Sequence, residues 1–371
     1  MPVISPVKRL STYAAFVLTA GCIIAGCLGL PFDEYIAWQQ AQGTQMFHAQ
    51  WIHERIAFDE TPVEVAIVGS SRVEAGVSPV ELSHALESRL GRPVAVANLA
   101  LVMPGRDFAA KVVARLVAAH PEVRLIILSD DGAVSNSHPM FFETASPYEL
   151  LSAPIVLNTR YPANLLKLPY RNLMNRIESG FPQAFGKAAR FDPAAYAGAG
   201  LDRTRGYRLA DGTAVNGDLH ATDDALSAFS AKAIAAQREG LARSRFLPEE
   251  WTLAIERRYT AQIERLCKER GIKLVFVRLP YFGPRQPVPG PVARERPGQV
   301  IALDGLSRTG AFYQDGAHLN RTGAVAASRA LADAVAPLLE HEAGRADGVP
   351  SGRMHRGDLQ SGISRHGEAV Q

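Results

Sequence analysis

The chain has 371 residues, 47% of them hydrophobic and 21% charged, so it can bury a substantial core in one large or two smaller domains. Its formal net charge of +3 is small, and no basic stripe with interleaved aromatic residues is present, which argues against a nucleic-acid partner. Of its three cysteines only Cys267 lies outside the apolar N-terminal segment, which argues against a disulfide or a cysteine-based metal site in the rest of the chain.

The N-terminal segment is the first distinctive feature. Residues 13–30 form an almost uninterrupted apolar stretch that follows Lys8 and Arg9, and about 18–20 residues suffice for a transmembrane helix. The basic flank predicts a single-pass protein of the bacterial inner membrane, with a cytoplasmic N-terminus and a periplasmic main domain. Two alternatives are a cleaved signal peptide and a lipoprotein in which Cys27 becomes the lipidated N-terminus.

Short apolar runs alternate with helical patterns in the remainder of the chain. The predicted strands are 63–68, 94–98, 124–128, 273–277 and 301–303, and the main predicted helices are 79–90, 106–120, 249–270 and 321–340. This alternation predicts an α/β fold with a parallel, buried sheet. Ligands of such sheets bind at the carboxyl ends of the strands.

One long region interrupts the alternation. It is interpreted as an insertion or cap over the sheet edge, with a hairpin whose strands are Tyr207–Leu209 and Thr213–Val215 and whose turn is Asp211-Gly212. The predicted organisation is a transmembrane anchor at 1–31, a membrane-proximal helix at 32–60, an α/β domain at 61–343 with the insertion at about 132–249, and a disordered tail at 344–371.

A Gly-Ser-Ser-Arg turn follows the first predicted strand directly. Ser70 or Ser71 would present its hydroxyl at the carboxyl edge of the sheet, close to backbone N–H groups that can stabilise an oxyanion. Gly69 allows a close backbone approach. The alternative is an ordinary turn whose serines cap the next helix.

The second motif is Asp315-Gly-Ala-His318, just before the final predicted helix. A spacing of three residues lets the carboxylate accept a hydrogen bond from one imidazole nitrogen while the other nitrogen faces a nucleophile. The alternative is a loop in which Asn320 caps the helix. Together with the upstream serine, the motif predicts a Ser-His-Asp triad.

In this order the two motifs resemble the SGNH/GDSL hydrolase superfamily, over roughly residues 63–131 and 250–340. The resemblance implies a flavodoxin-like, three-layer α/β/α fold. It assigns Ser71 as the nucleophile, Asp315 as the acid of the triad and His318 as the base.

Two further blocks of the superfamily have less complete counterparts. Gly105 occupies the place of the glycine of the second block, so the resemblance assigns the oxyanion hole to the N–H groups of Ser71 and Gly105. The third block should fall at Leu128-Ser-Asp-Asp131, where both its glycine and its oxyanion asparagine are missing. This departure favours acyl transfer over simple hydrolysis.

The Gly-Ser-Ser form and the N-terminal anchor are similar to the alginate O-acetyltransferases and the D-alanyl transfer protein of teichoic acid synthesis. This similarity implies an acyl donor, an envelope polysaccharide or exopolysaccharide as acceptor, and a multispanning membrane acyltransferase as partner. It implies no metal and no dissociable cofactor. The alternative is a catalytically inactive SGNH-like protein that binds glycan or serves as a scaffold.

Several polar residues outside the triad are candidates for lesser roles. Arg72, Asn98 and Arg278 are candidate substrate-binding residues because each lies near a predicted strand end. Three histidines lack metal-ligand spacing and are predicted to lie at the surface or in loops: His120, His138 and His220.

Overall fold

Five parallel strands form the main sheet of the computed structural model, which describes residues 6–132, 136–155, 158–208, 214–243 and 245–340. Its strands are β1 (Val65–Val68), β2 (Val96–Asn98), β3 (Leu125–Ser129), β6 (Lys273–Arg278) and β7 (Val300–Ala302). A separate pair consists of β4 (Tyr207–Arg208) and β5 (Ala214–Val215). The order across the main sheet is β2-β1-β3-β6-β7, and every neighbouring pair is parallel. The predicted α/β class with a parallel sheet is confirmed.

The α-helices of the described residues surround this sheet. They are α1 (Pro6–Leu28), α2 (Glu34–Trp38), α3 (His48–Ala57), α4 (Ser71–Gly76), α5 (Pro79–Leu90), α6 (Arg106–Ala119), α7 (Pro139–Thr144), α8 (Pro147–Leu151), α9 (Tyr161–Gly180), α10 (Asp223–Arg243), α11 (Glu249–Thr252), α12 (Ala254–Arg270), α13 (Pro291–Glu295) and α14 (Arg321–Glu340). Short 3₁₀ segments are Gln39–Ala41, Pro182–Phe185, Arg203–Arg205, Pro297–Gln299, Asp304–Arg308 and Gly310–Phe312.

The apolar strands bury both faces of the sheet. In β1, Ala66 and Val68 point to one face, where they join apolar residues of α3, α6 and α12. Val65 and Ile67 point to the other face and join residues of α5 and α14. Alternate residues of one strand thus reach different helical layers, as the pleat of a strand requires. This arrangement is consistent with the predicted three layers.

The helices nearest the N-terminus differ in their surroundings. Trp38 in α2 and Ile52 in α3 are fully buried in the same apolar cluster as Val68. The segment 32–60 therefore contains two helices that pack into the core of the α/β domain.

Within the part of the chain that the structure describes, no helix is both long and apolar enough to cross a membrane.

Most predicted elements of the α/β domain lie within two residues of the observed ones. The first strand begins at Val65 because the N–H of Val63 donates to Glu122 Oε1 (3.1 Å) instead of joining the ladder. The predicted helix at 249–270 is divided into α11 and α12 at Leu253, whose φ of −114° and ψ of 20° leave the helical region. This turn buries the Leu253 side chain.

The insertion contains its own secondary structure, with α7 to α10 between β3 and β6. The two predicted hairpin strands pair antiparallel as β4 and β5. Their predicted turn, Asp211-Gly212, lies outside the described residues, as does the predicted disordered tail at 344–371.

Candidate active site

The turn after β1 places a serine at the carboxyl edge of the sheet. Ser71 is the first residue of α4, and its side chain is partly exposed. A Cβ atom at position 69 would lie 2.1 Å from Ser129 Oγ and 2.4 Å from Ser129 Cβ. Only Gly69 therefore permits the ends of β1 and β3 to approach this closely.

A continuous chain of hydrogen bonds joins Ser71, His318 and Asp315. Ser71 Oγ lies 2.9 Å from His318 Nε2, and His318 Nδ1 lies 3.0 Å from both carboxylate oxygens of Asp315. Because an ionised carboxylate only accepts, Nδ1 carries the proton and donates it toward Asp315. The Nε2 lone pair then accepts the hydroxyl of Ser71, which is the arrangement that a general base requires.

The loop before α14 holds the Asp315 carboxylate in place. Its Oδ1 also accepts the backbone N–H groups of Ala317 (2.8 Å) and His318 (2.9 Å). Burial raises the pKa of Asp315, but the hydrogen bonds from His318 and from this backbone outweigh it, so the pKa is lowered from its usual range. The carboxylate therefore stays ionised at neutral pH and can orient the imidazole.

The neighbouring serine has a different environment. Ser70 is buried, and its Oγ donates to Asp131 Oδ1 (2.6 Å) while it accepts the N–H of Arg72 (3.4 Å) at the start of α4. Ser129 Oγ donates to the other oxygen of Asp131 (2.5 Å). The sequence left Ser70 and Ser71 as alternative nucleophiles, and this geometry favours Ser71.

The Asp131 carboxylate therefore clamps two serine hydroxyls, one after β1 and one at the end of β3. An acidic side chain in this loop would destabilise a developing oxyanion if its negative charge faced it. Both Asp131 oxygens instead accept hydroxyl protons, so the loop after β3 joins the nucleophile turn to the sheet.

Behind this clamp lies a buried ion pair. Arg106 donates to the backbone oxygen of Ser129 (2.9 Å) and to Glu256 Oε1 (2.7 Å), and both charged side chains are buried. Burial raises the pKa of the neighbouring Asp130, and the positive charge of Arg106 only partly offsets it. The end of β3 is thus fixed from α6 and α12 at the same time.

The loop after β2 runs beside the nucleophile turn. The N–H of Leu101 donates to the backbone oxygen of Gly69 (3.0 Å), which extends the pairing beyond the ends of the strands. Gly105 then precedes α6, and a Cβ atom there would lie 2.3 Å from His138 Cβ. Between them Met103 has a φ of 76°, a strained backbone conformation for a residue with a side chain.

His138 holds this loop. Its Nε2–H donates to the backbone oxygen of Val102 (2.9 Å), and its Nδ1 accepts the N–H of Met140 (3.1 Å). The imidazole also stacks on Phe108 at 4.7 Å, and burial lowers its pKa to about 4, so it is neutral. His138 and His120 were predicted to lie at the surface or in loops; both lie outside helices and strands but are buried, whereas His220 is exposed.

Arg72 lies at the site but points into the protein. Its guanidinium packs 4.5 Å over the ring of Tyr281 and is buried. Within the described residues, its Nε and Nη2 atoms have no hydrogen-bond partner. Its predicted role in substrate binding remains a prediction.

The other two predicted substrate-binding residues have protein partners. Asn98 is buried, and its amide donates to the backbone oxygens of Val73 (2.9 Å) and Val77 (2.7 Å) in and just after α4. Asn98 therefore holds the nucleophile helix. Arg278 at the end of β6 forms an ion pair with Asp304 (3.3 Å).

A segment of the insertion packs against α4. Arg203 forms a buried ion pair with Glu74 (2.7 Å), one turn after Ser71, and donates to the backbone oxygen of Asn98 (2.8 Å). Burial raises the pKa of Glu74, but the charge of Arg203 and the hydrogen bond with His48 together outweigh it, so the pKa is lowered. The insertion, predicted as a cap over the sheet edge, thus also packs beneath the candidate nucleophile.

A cleft of about 330 Å³ lies near the turn that carries Ser71, although none of the three triad residues lines it. Its lining includes Asp131, which binds the hydroxyl of Ser70, and Tyr281, which covers Arg72. Met103 and Arg160 line its other walls. The cleft is large enough for part of a small organic substrate. In the described residues no group of three or more His, Cys, Asp or Glu side chains is placed to hold a metal ion.

No family model matches the chain. A search of curated proteins also finds no match. Any assignment of function therefore depends on the geometry of the site.

Sequence reasoning missed the positioning roles of three groups: Asp131, His138 and Arg203. Each has a partner far away in the chain, namely Ser70 for Asp131, Val102 for His138 and Glu74 for Arg203. Asp131 belongs to the counterpart of the third block, but that motif does not indicate its contact with Ser70. The sequence did contain one signal for Asp131. Asp130 and Asp131 follow the apolar run of β3, and acidic residues in that position need polar partners at the sheet edge.

Proposed function

We propose that this protein is a serine-dependent acyl-transfer enzyme in which Ser71, His318 and Asp315 act as nucleophile, base and acid. The proposal depends on one observation, the hydrogen-bonded chain from Ser71 Oγ through His318 to the Asp315 carboxylate. A serine that only capped a helix would not need a histidine oriented in this way.

The first half of the reaction forms an acyl-enzyme. Ser71 Oγ attacks the carbonyl carbon of an ester while His318 Nε2 takes the hydroxyl proton. Asp315 stabilises the resulting imidazolium. When the tetrahedral intermediate collapses, the bond to the leaving alcohol breaks, and that alcohol receives the proton from His318.

The second half transfers the acyl group to an acceptor. His318 takes the proton of an acceptor hydroxyl, whose oxygen attacks the acyl carbon, and Ser71 leaves with the proton returned by His318. A sugar hydroxyl gives a transferase, and water gives an esterase. Of the two, acyl transfer is favoured because the loop at Ser129-Asp130-Asp131 lacks the asparagine of the third block and because the predicted N-terminal anchor resembles that of envelope acyltransferases.

The oxyanion would be held by backbone N–H groups of Ser71 and Gly105. Ser71 begins α4, where a backbone N–H has no acceptor within the helix. The Gly105 loop is held against the Ser71 turn through Leu101 and Gly69. Asp131 accepts hydrogen bonds from the hydroxyl groups of Ser70 and Ser129, and these contacts partly compensate its negative charge away from the oxyanion.

Membership of the SGNH/GDSL hydrolase superfamily is part of the proposal. Numbered within the main sheet alone, the strand order is 2-1-3-4-5, which is the flavodoxin-like order. The serine follows the first strand, and the Asp-x-x-His segment precedes the last helix. These two placements support the resemblance drawn from the motifs.

We further propose that α1 anchors the protein in the bacterial inner membrane, with the α/β domain in the periplasm. The large apolar side chains of its described part are exposed, among them Phe16, Val17 and Leu18. Residues 12–28 extend only about 25 Å as a helix, less than the roughly 30 Å of the hydrocarbon core, so the proposal depends on these exposed apolar side chains and not on the length of the helix. An acceptor in the envelope, such as a polysaccharide, and a multispanning acyltransferase as partner fit this location.

The Ser71→Ala variant tests the reaction. We expect it to lower the rate of hydrolysis of a short-chain aryl ester by about 10³-fold or more, because the nucleophile is lost. The matched comparison is Ser70→Ala, which keeps the nucleophile but loses one contact of the Asp131 clamp, so its rate of labelling by a fluorophosphonate probe should fall far less than that of Ser71→Ala. Activity that survives in Ser71→Ala but disappears in Ser70→Ala would identify the other serine.

The same experiment separates the enzyme from the inactive alternative. Wild-type protein that does not react with the fluorophosphonate but still binds polysaccharide would favour a glycan-binding or scaffold role. Acylation of an added oligosaccharide by wild-type protein, lost in Ser71→Ala, would distinguish a transferase from an esterase.

A further inference from the structure

Helix α9 has an apolar stripe on its exposed face. Leu166, Tyr170, Leu173 and Ile177 are 84%, 66%, 39% and 37% exposed. Their spacings of four, three and four residues place them on one side of the helix. A helix on the surface of a soluble domain normally presents polar residues there, so this stripe needs a partner.

The opposite face of α9 packs on the domain and is largely polar, although Tyr161 and Leu168 on this face join the apolar core. Arg171 is buried and donates to the backbone oxygen of Ala145 (2.8 Å). Asn172, Asn175 and Glu178 are also buried on this side. The orientation of α9 is therefore fixed by hydrogen bonds, and its apolar side faces outward.

The segment between α1 and α2 is tied to this helix. The N–H of Asp33 donates to Asn175 Oδ1 (2.7 Å), and Asn175 Nδ2 donates to the backbone oxygen of Asp33 (2.8 Å). Ser179 Oγ donates to the Asp33 carboxylate (2.9 Å), and the Arg171 guanidinium lies 4.8 Å over the ring of Phe32. Helices α1 and α9 also contact each other directly. Wherever α1 enters a membrane, α9 must lie at the same point of its surface.

The charges around the stripe are basic. Lys167 and Arg176 are exposed beside it. Glu178 is the only acidic residue of α9, and it is buried in an ion pair with Lys187 (2.7 Å). An apolar stripe with a basic rim fits the interface of a bilayer that contains anionic phospholipids.

Nearby exposed residues extend this surface. Tyr148 and Leu151 of α8, which contacts α9, are 79% and 55% exposed, and Phe181 after α9 is 68% exposed. Tyrosine is enriched where proteins meet the headgroup region, because its ring is apolar and its hydroxyl polar. We define the membrane-facing stripe as these three residues together with the four of α9.

We propose that the membrane-facing stripe lies in the headgroup region of an anionic phospholipid bilayer, next to α1. This inference rests on the proposed anchor, and it adds a second contact that sets the orientation of the catalytic domain. A helix anchor alone would let the domain rotate. With α9 on the lipid, the Ser71 cleft keeps a constant orientation toward the membrane surface.

The test uses the full-length protein in nanodiscs of phosphatidylglycerol and phosphatidylcholine. Single cysteines at Leu166, Tyr170 or Ile177 carry a nitroxide label, in a background whose native cysteines are replaced. The control is a label at Glu87, an exposed residue of α5 on the other face of the sheet. We expect the stripe labels to collide severalfold more with dissolved oxygen than with a water-soluble nickel complex, and the Glu87 label to show the reverse.

Each other result contradicts the inference in a recognisable way. Stripe labels as accessible to nickel as Glu87 would show that the stripe faces water. Labels shielded from both reagents would show that a protein, either a partner or a second copy of this chain, covers it. Failure of the protein to enter nanodiscs would overturn the anchor together with this inference. Hydrolysis of a soluble ester by the same protein measures the activity of Ser71 independently of these three outcomes, so a failure of the proposed function can be told apart from a failure of this inference.

A double variant checks the same surface without labels. Leu166→Asp with Tyr170→Asp places two negative charges on the stripe at exposed positions, so folding should be preserved. The background is a protein in which Ile23→Lys and Ile24→Lys disrupt α1. In this background we expect the fraction of protein that floats with anionic vesicles to fall severalfold when the two stripe substitutions are added. Equal flotation with and without the stripe substitutions would contradict the proposal.

Discussion

The turn after β1 and the loops after β2 and β3 meet at one edge of the sheet, but their geometry is maintained differently. Ser71 reaches a histidine and an aspartate that lie three residues apart in a partly exposed loop. The loops after β2 and β3 are held chiefly by the buried His138 and the half-buried Asp131. The reacting groups therefore lie in short motifs, whereas the groups that orient the neighbouring loops come from distant parts of the chain.

The strongest test of the first region is Asp315→Asn. The amide is nearly isosteric but neutral, so it cannot stabilise the imidazolium and can favour the wrong tautomer. We expect kcat for an aryl ester to fall by about 10³–10⁴-fold with little change in the thermal unfolding midpoint. The control is Asp304→Asn, which removes an exposed carboxylate near the same sheet edge. An unchanged kcat in Asp315→Asn would remove Asp315 from the mechanism.

Asp131→Asn tests whether the second region positions the nucleophile. Asparagine offers one acceptor oxygen in place of two, so Ser70 and Ser129 can no longer both donate to the same side chain. We expect kcat to fall by about 10²-fold, because a small displacement of the Ser71 turn misaligns the attack. The rate of fluorophosphonate labelling should fall in parallel, which a purely structural effect elsewhere would not produce.

Ser129→Ala provides the graded control, since it removes one of the two hydroxyl donors and leaves the Ser70 contact intact. Its loss of kcat should be smaller than that of Asp131→Asn. Equal labelling rates in wild type and in Asp131→Asn would show that the turn is held without the clamp.

The sequence predicted well those features that depend on neighbouring residues. The alternation of apolar strands and amphipathic helices predicted the parallel sheet, and most element ends lie within two residues of the prediction. The Asp315-x-x-His318 spacing predicted a carboxylate beside an imidazole because the two residues share one loop. A pairing of this kind needs no knowledge of the rest of the fold.

Features that depend on distant partners could not be predicted in this way. Ser70 and Asp131 are 61 residues apart, and Glu74 and Arg203 are 129 apart. His138 was predicted to lie at the surface or in a loop because it lacks metal-ligand spacing; it does lie in a loop, but it is neutral and fully buried there. Its burial depends on partners in two other segments, Val102 and Phe108, that only the assembled fold brings together.

The pH dependence of stability tests the role of His138 with the smallest expected effect. Its pKa is lowered by burial to about 4 in the folded protein, from 6.5 in its ordinary state. Between these values the unfolded chain binds more protons, so the free energy of unfolding decreases as the pH falls. For this one group the loss between pH 7 and pH 5 is about 2 kcal/mol.

His138→Gln keeps a donor that can reach the backbone oxygen of Val102 but removes the titration. We expect the loss of unfolding free energy from pH 7 to pH 5, measured by urea denaturation, to be smaller than in wild type by about 2 kcal/mol. Burial raises the pKa of the neighbouring Asp107 to about 6, which has the opposite sign, but this contribution is shared by both proteins and cancels. His84→Gln, an exposed change on α5, should leave the pH dependence unaltered. If His138→Gln behaves like His84→Gln, the loop after β2 is held without a buried neutral imidazole, and the contrast with the Ser71 turn is reduced to the Asp131 clamp alone.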